Sequence, residues 1–273
     1  MPTVSNGGST IWYDTRGNGP PVVMIYGIGG DSRQWWDEFP SYFESTYTVV
    51  MIDNRGTGWS DKPIVPWTMS DMTDDLESVV DALGLTSFHL LGCSLGSVIV
   101  RHFVKERGGE RIRSLSLLCP PNGVRATEAD MKAALYWDPA KPLIESARGG
   151  WPITHPEPWI AENDDLLVRK FGANLANPTP PLTYAYQLKA TEDAGDPNEA
   201  MNAYDWPVLI QHGTIDRLVP PVNADTLKAT IPRARLEMME GASHNFWQHA
   251  PRRAADIVID FLDAAEARLE SNP

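Results

Sequence analysis

Ser87-Phe88-His89-Leu90-Leu91-Gly92-Cys93-Ser94-Leu95-Gly96 is the stretch on which the reading of the fold turns. An apolar, strand-like run ends at Gly92, and a helical pattern begins at Leu95 and continues to Arg107. Gly92-Cys93-Ser94-Leu95-Gly96 is thus a G-x-S-x-G set between a buried strand and a helix. Joining the two directly demands a very sharp turn. The residue at its apex is strained, and the neighbours two places away must lack bulk. Gly92 and Gly96 meet that need and leave Ser94 projecting from the strand end at a helix N-terminus. In a loop the same five letters would mean little; the flanking strand and helix give them weight.

Working outward, five more apolar runs stop at turn residues. Residues 21–26 end at Gly27-Ile28-Gly29-Gly30, and residues 47–52 end at Asp53-Asn54-Arg55-Gly56. Residues 114–118 end at Cys119-Pro120-Pro121, 207–212 at Gly213, and 235–239 at Glu240-Gly241. Continuous apolar runs of this length suit strands buried on both faces. Helical patterns fall between them, over 69–83, 95–107, 223–229 and 254–264. The first has Met72, Leu76, Val79, Val80 and Leu83 on one face, with Ser70 or Asp71 as its cap and Gly84 as its stop. Strands alternating with helices predict an α/β fold with a mostly parallel sheet. Functional groups then gather at the carboxyl ends of the strands.

Residues 121–206 break this rhythm. They are rich in Pro, Trp and Tyr and show no buried strand. So long a connection predicts an inserted helical lid over 121–206, on a core made of 1–120 and 207–273.

Composition narrows the function. The 273 residues carry 23 Lys+Arg against 36 Asp+Glu, a net charge of -13. That balance argues against a nucleic-acid partner or an anionic membrane surface. Cys93 and Cys119 are too few for a disulfide framework and match no zinc spacing. No metal and no cofactor are expected. The first residues lack a basic region followed by an apolar run, and no apolar stretch reaches the ~20 residues of a membrane span, so the expected compartment is the cytosol.

A serine hydroxyl needs a base. Of six histidines, His89 lies within a strand, His102 deep in the helix after Ser94, His155 in the insertion and His249 at a helix start. His212 ends a strand and suits a structural hydrogen bond. His244, in Gly241-Ala242-Ser243-His244, follows the last strand on the correct edge of the sheet and is the expected base. Its orienting carboxylate is Asp216, after the penultimate strand. Asp53 also ends a strand, and pairing with an Arg in its turn accounts for it. Oxyanion donors are expected from the backbone N–H groups of Leu95 and Ile28. The loop Gly27-Ile28-Gly29-Gly30 lacks the third glycine of a dinucleotide fingerprint and the Lys of a phosphate loop.

With these residues in place, the sequence resembles the α/β-hydrolase fold superfamily. It is most similar to bacterial serine esterases and enol-lactonases, of the 3-oxoadipate enol-lactonase and aclacinomycin methylesterase kind. The resemblance rests on residues 26–30, 53–63, 92–96, 212–221 and 241–244, and covers the core but hardly the insertion. It implies a Ser94–His244–Asp216 triad cleaving a small carboxylic ester or lactone without a cofactor. Two positions depart from the pattern. Tyr26 stands where a His usually precedes the oxyanion glycine, and Ser243 where a Gly precedes the last His. Serine at the elbow argues against the dehalogenases and epoxide hydrolases, which use a carboxylate there. The same apparatus also serves thioesters, amides, C–C bonds between carbonyls, and N-terminal proline peptides. The last would need an amine-binding carboxylate such as Glu157, Glu162, Asp164 or Asp165. A pocket that binds without turnover, and Cys93 as nucleophile, complete the alternatives. Trp137, Trp151, Trp159, Phe246 and Trp247 are expected to line a pocket for an apolar or ring-bearing substrate, along with Tyr136.

Overall fold

The computed structural model describes residues 2–271. Eight strands form one sheet: β1 (Thr3–Asn6), β2 (Ser9–Gly17), β3 (Pro21–Ile25), β4 (Thr48–Ile52), β5 (Phe88–Cys93), β6 (Ile112–Leu118), β7 (Val208–Gly213) and β8 (Arg235–Met239). Their order across the sheet is β1-β2-β4-β3-β5-β6-β7-β8. From β4 to β8 every pairing is parallel, while β1 and β2 add an antiparallel edge. The helices are α1 (Glu38–Ser41), α2 (Met69–Ala82), α3 (Leu95–Arg107), α4 (Glu128–Leu135), α5 (Leu143–Thr154), α6 (Glu157–Asn174), α7 (Pro181–Ala194), α8 (Val222–Thr230), α9 (Phe246–His249) and α10 (Pro251–Ser271).

Side chains alternate along each strand and so divide the core in two. Val23, Ile25, Val50, Ile52, Leu90 and Ile210 pack against α2, α3 and α8. Val22, Met24, Val49, Met51, Leu91 and Leu209 face the opposite way, onto Phe39, Phe43 and the Val258–Phe261–Leu262 stripe of α10. Each fully buried Val, Leu or Ile contributes roughly 1.5–3 kcal/mol. That burial, made on both faces, holds the centre of the sheet rigid.

The β1–β2 hairpin was not among the expected strands. Its connection, Gly7-Gly8, has positive φ at both residues (56° and 84°), the requirement of a two-residue type I′ turn. The cap of α2 is Thr68, not Ser70 or Asp71. The Thr68 hydroxyl accepts from the Asp71 N–H, and the Asp71 carboxylate accepts from the Thr68 N–H. Asp53 does not pair with an arginine. Its carboxylate accepts the Ser32 and Trp59 N–H groups at 2.8 Å each, while Arg55 makes a buried two-point contact with Asp75 on α2.

Between β6 and β7 the chain forms α4 to α7 and a short 3-10 segment, with no strand among the described residues. No described helix is long and apolar enough to cross a membrane.

Candidate active site

Ser94 sits between β5 and α3 with φ 50° and ψ -122°, a conformation L-residues rarely adopt. The turn is held by the Ser94 N–H donating to Leu118 O at 2.9 Å and the Ser97 N–H to Ser94 O at 2.9 Å. Both flanking glycines are sterically obligatory. A Cβ on Gly92 would lie 2.4 Å from Gly96 O, and one on Gly96 would lie 2.1 Å from Ile25 O. On the cavity side a Cβ on Gly27 would reach the Ser94 Cβ at 2.9 Å.

The loop after β7 brings Asp216 beneath the loop after β8. One Asp216 carboxylate oxygen accepts the Leu218 and Val219 N–H groups at 2.9 and 2.8 Å; the other accepts His244 Nδ1–H at 2.7 Å. Burial alone would raise this carboxyl, but His244 and His212 beside it hold it down at about 2. Asp216 is therefore anionic at neutral pH and fixes the imidazole tautomer, with Nε2 left as the acceptor. His212 stands as expected: its Nε2 donates to Val219 O at 2.8 Å.

Ser94 and His244 line one cavity of about 640 Å³. The Ser94 Oγ–His244 Nε2 hydrogen bond is not formed. The polar neighbour of Nε2 is Cys119 Sγ at 3.8 Å. Serine turns about a single bond with three staggered wells, and such contacts commonly tighten only with substrate in place. Burial pushes the thiols of Cys93 and Cys119 well up, so both stay protonated. Cys93 is packed in the core, which removes its case as nucleophile. Cys119, Asp216 and His244 offer one ligand atom each within a small radius, but Asp216 holds the Nδ1 side of the ring and Cys119 the Nε2 side.

The N–H groups of Ile28 and Leu95 donate to no backbone or side-chain acceptor among the described residues. Leu95 is the first residue of α3 and Ile28 lies in the loop after β3, on the cavity wall. Leu95 follows Ser94 directly, and Ile28 follows Gly27, the residue whose added Cβ would meet the Ser94 Cβ.

Of the aromatic residues expected around the substrate, Trp137, Trp151 and Trp247 line the cavity, as does Tyr136. Phe246 does not: it is wholly buried in the core beneath, because α9 turns it inward against the sheet. Trp159 is also absent from the wall. It stacks on His155 at 5.3 Å and packs toward Trp36 at 6.3 Å, forming the layer behind. Glu157, Glu162, Asp164 and Asp165 lie outside the cavity, which removes these four as amine-binding carboxylates there. The sequence reading missed Trp36, Leu167, Phe171, Tyr184 and His155, all cavity-lining. The i, i+4 pair Leu167 and Phe171 on α6 was the available signal. His155 is buried and held neutral, lowered to about 3 by burial, with Nε2 bonded to Gln248.

Comparison with known proteins agrees with this fold. Residues 20–248 match the alpha/beta hydrolase fold family. The chain belongs to that family. A putative carbamate hydrolase, RutD of Azorhizobium caulinodans, is 26% identical over 271 residues, covering 96% of this chain and 98% of its own. The crystal structure of the esterase RhEst1 from Rhodococcus sp. ECU1013 superposes with a TM-score of 0.84 at 24% identity, covering 96% and 98%. The enol-lactonase from Burkholderia xenovorans LB400 gives 0.80 at 22% identity, covering 96% and 100%.

Proposed function

We propose that this protein is a serine hydrolase that cleaves a carboxylic ester or lactone through an acyl-enzyme, with Ser94, His244 and Asp216 as its triad. One observation carries the reading: a strained serine between β5 and α3 shares a cavity with an imidazole whose other nitrogen is fixed by a buried carboxylate. His244 Nε2 takes the Ser94 proton as Oγ adds to the substrate carbonyl. The oxyanion is received by the Ile28 and Leu95 N–H groups. Collapse breaks the acyl–oxygen bond, and the imidazolium returns its proton to the leaving alkoxide. Water, deprotonated by the same nitrogen, then releases the acid and restores Ser94. Helices α4 to α7 act in this scheme as a cap over the core.

The wall supports an apolar or ring-bearing substrate: Trp36, Leu135, Trp137, Trp151, Leu167 and Phe171 face the cavity. A panel of nitrophenyl esters and lactones graded by acyl size should show rising kcat/KM with apolar bulk. Ser94→Ala should abolish turnover and labelling by a fluorophosphonate while the fold is retained. Asp216→Asn should lower kcat by several orders of magnitude, about 10⁴-fold, by presenting the wrong tautomer. Turnover surviving Ser94→Ala would end the reading.

The contact of His244 Nε2 with Cys119 rather than Ser94 favours one other reading, a pocket that binds without turnover. The same labelling decides: an inert serine stays unmodified.

A further inference from the structure

The loop that carries Ile28 is a turn of Gly27-Ile28-Gly29-Gly30, closed by the Gly30 N–H donating to Gly27 O at 3.3 Å. Gly29 has φ 64° and Ile28 does not have positive φ, the pattern of a type II turn. A trans peptide points its C=O and N–H to opposite sides. The bond to Gly27 O therefore turns the Ile28 N–H of the same peptide away from Gly30. Everything that holds this turn holds the direction of that donor. With three glycines in four residues, the backbone itself holds it weakly.

The restraint comes from the insertion. Gln187, midway along α7 and wholly buried, accepts the Gly29 N–H on Oε1 at 2.8 Å. That N–H belongs to the central peptide of the turn, the one whose flip converts type II into type I. Thr179, in the proline-rich lead-in to α7, donates to Gly29 O at 2.8 Å. Tyr184 closes against the same residue, so tightly that a Cβ on Gly29 would fall 2.2 Å from its ring. Both polar groups of Gly29 are thus engaged by one segment some 150 residues away in sequence. The Gln187 amide spends only its oxygen on this. Its Nε2 is buried with no partner among the described residues, a cost accepted nowhere else on α7.

We propose that Gln187 is a positioning residue for the oxyanion site, holding the Gly29 peptide so that the Ile28 N–H stays aimed at the carbonyl attacked by Ser94. The proposal rests on the serine-hydrolase reading above. Removing an oxyanion donor outright costs about 10²–10³ in kcat, so misaligning one should cost about tenfold or more.

The test compares the full-length wild type with Gln187→Met, which removes the acceptor, and Gln187→Glu, which keeps a carboxyl oxygen for the Gly29 N–H. Two quantities are read: the rate of Ser94 modification by a fluorophosphonate, in which fluoride leaves phosphorus, and kcat and KM on a nitrophenyl ester. Gln187→Met should lower the labelling rate and kcat about tenfold or more with KM little changed, and Gln187→Glu should recover most of both. Should Gln187→Met fail to fold, Thr179→Val gives the same direction with a smaller loss. Wild-type rates in Gln187→Met or, in its place, Thr179→Val would overturn the proposal. A loss confined to KM, or an equal loss in Gln187→Glu, would do the same. An unlabelled wild type would overturn the hydrolase reading and this proposal together; a labelled wild type with an indifferent Gln187→Met overturns this proposal alone.

Discussion

Ser94 holds a backbone conformation that costs about 1–3 kcal/mol for a residue with a Cβ. Alanine at 94 keeps that strain, whereas glycine relieves it at the smaller expense of a more flexible unfolded chain. Ser94→Gly should accordingly melt above Ser94→Ala, by about 1 kcal/mol in unfolding free energy, although both lack the nucleophile. Equal stability would mean that the surrounding bonds, rather than the dihedral angles, set the energy of the turn. The positions of Ser94, Asp216 and His244 at one rim were legible because each follows a strand, and strand ends are readable from where apolar runs stop. The contact between Cys119 and His244 was not, since it depends on which way two short side chains rotate in a shared space. Nor was the inward turn of Phe246, which follows from the phase of a single four-residue helix.

Among the elements, β5 and α3 meet with no room to spare. Gly96→Ala would press a methyl into Ile25 O on β3, and strand and helix are both fixed by core packing. We expect a loss of about 3 kcal/mol, or failure to accumulate folded protein. Gly84, just beyond α2, is the control: its φ of 64° disfavours alanine by about 1 kcal/mol, but nothing lies within 4 Å of the added methyl. Chemical denaturation of the two variants checks the difference, and similar losses would show that conformation matters more than contact. The six parallel strands were legible as uninterrupted apolar runs, buried on both faces. The β1–β2 hairpin escaped because Ser9–Gly17 is half-exposed and mixes Thr, Asp and Arg with its apolar residues. Only the Gly7-Gly8 pair announced it.

For the whole molecule, several histidines are sealed in the fold without charge. Burial lowers His89 and His102 to about 4 and His155 to about 3. In the unfolded chain each returns to about 6.5. A folded value below the unfolded one means that the unfolded state binds the extra proton. Stability is therefore full above pH 6.5 and is lost as pH falls toward 4. Each such histidine contributes a slope of about 1.4 kcal/mol per pH unit inside that window. Denaturation midpoints followed from pH 7 to 4.5 should reveal an uptake of close to three protons on unfolding from these three, and His102→Leu should remove one. A flat profile would mean that these rings are already charged within the fold. The helical insertion, by contrast, was legible only as an interruption. Its lining residues and its hold on Gly29 arise from packing between distant segments, which periodicity does not encode.

The two outermost strands have a bearing on how copies of this protein meet. At one rim β1 offers only four residues, and at the other β8 carries Arg235 and Glu237 bonded to each other at 2.7 Å. A neighbour seeking to extend the ladder finds too short a template on one side and charge to desolvate on the other. Crowded solutions of this acidic chain should therefore resist lateral growth into ribbons, even though the interior of the same sheet is among the most apolar parts of the molecule.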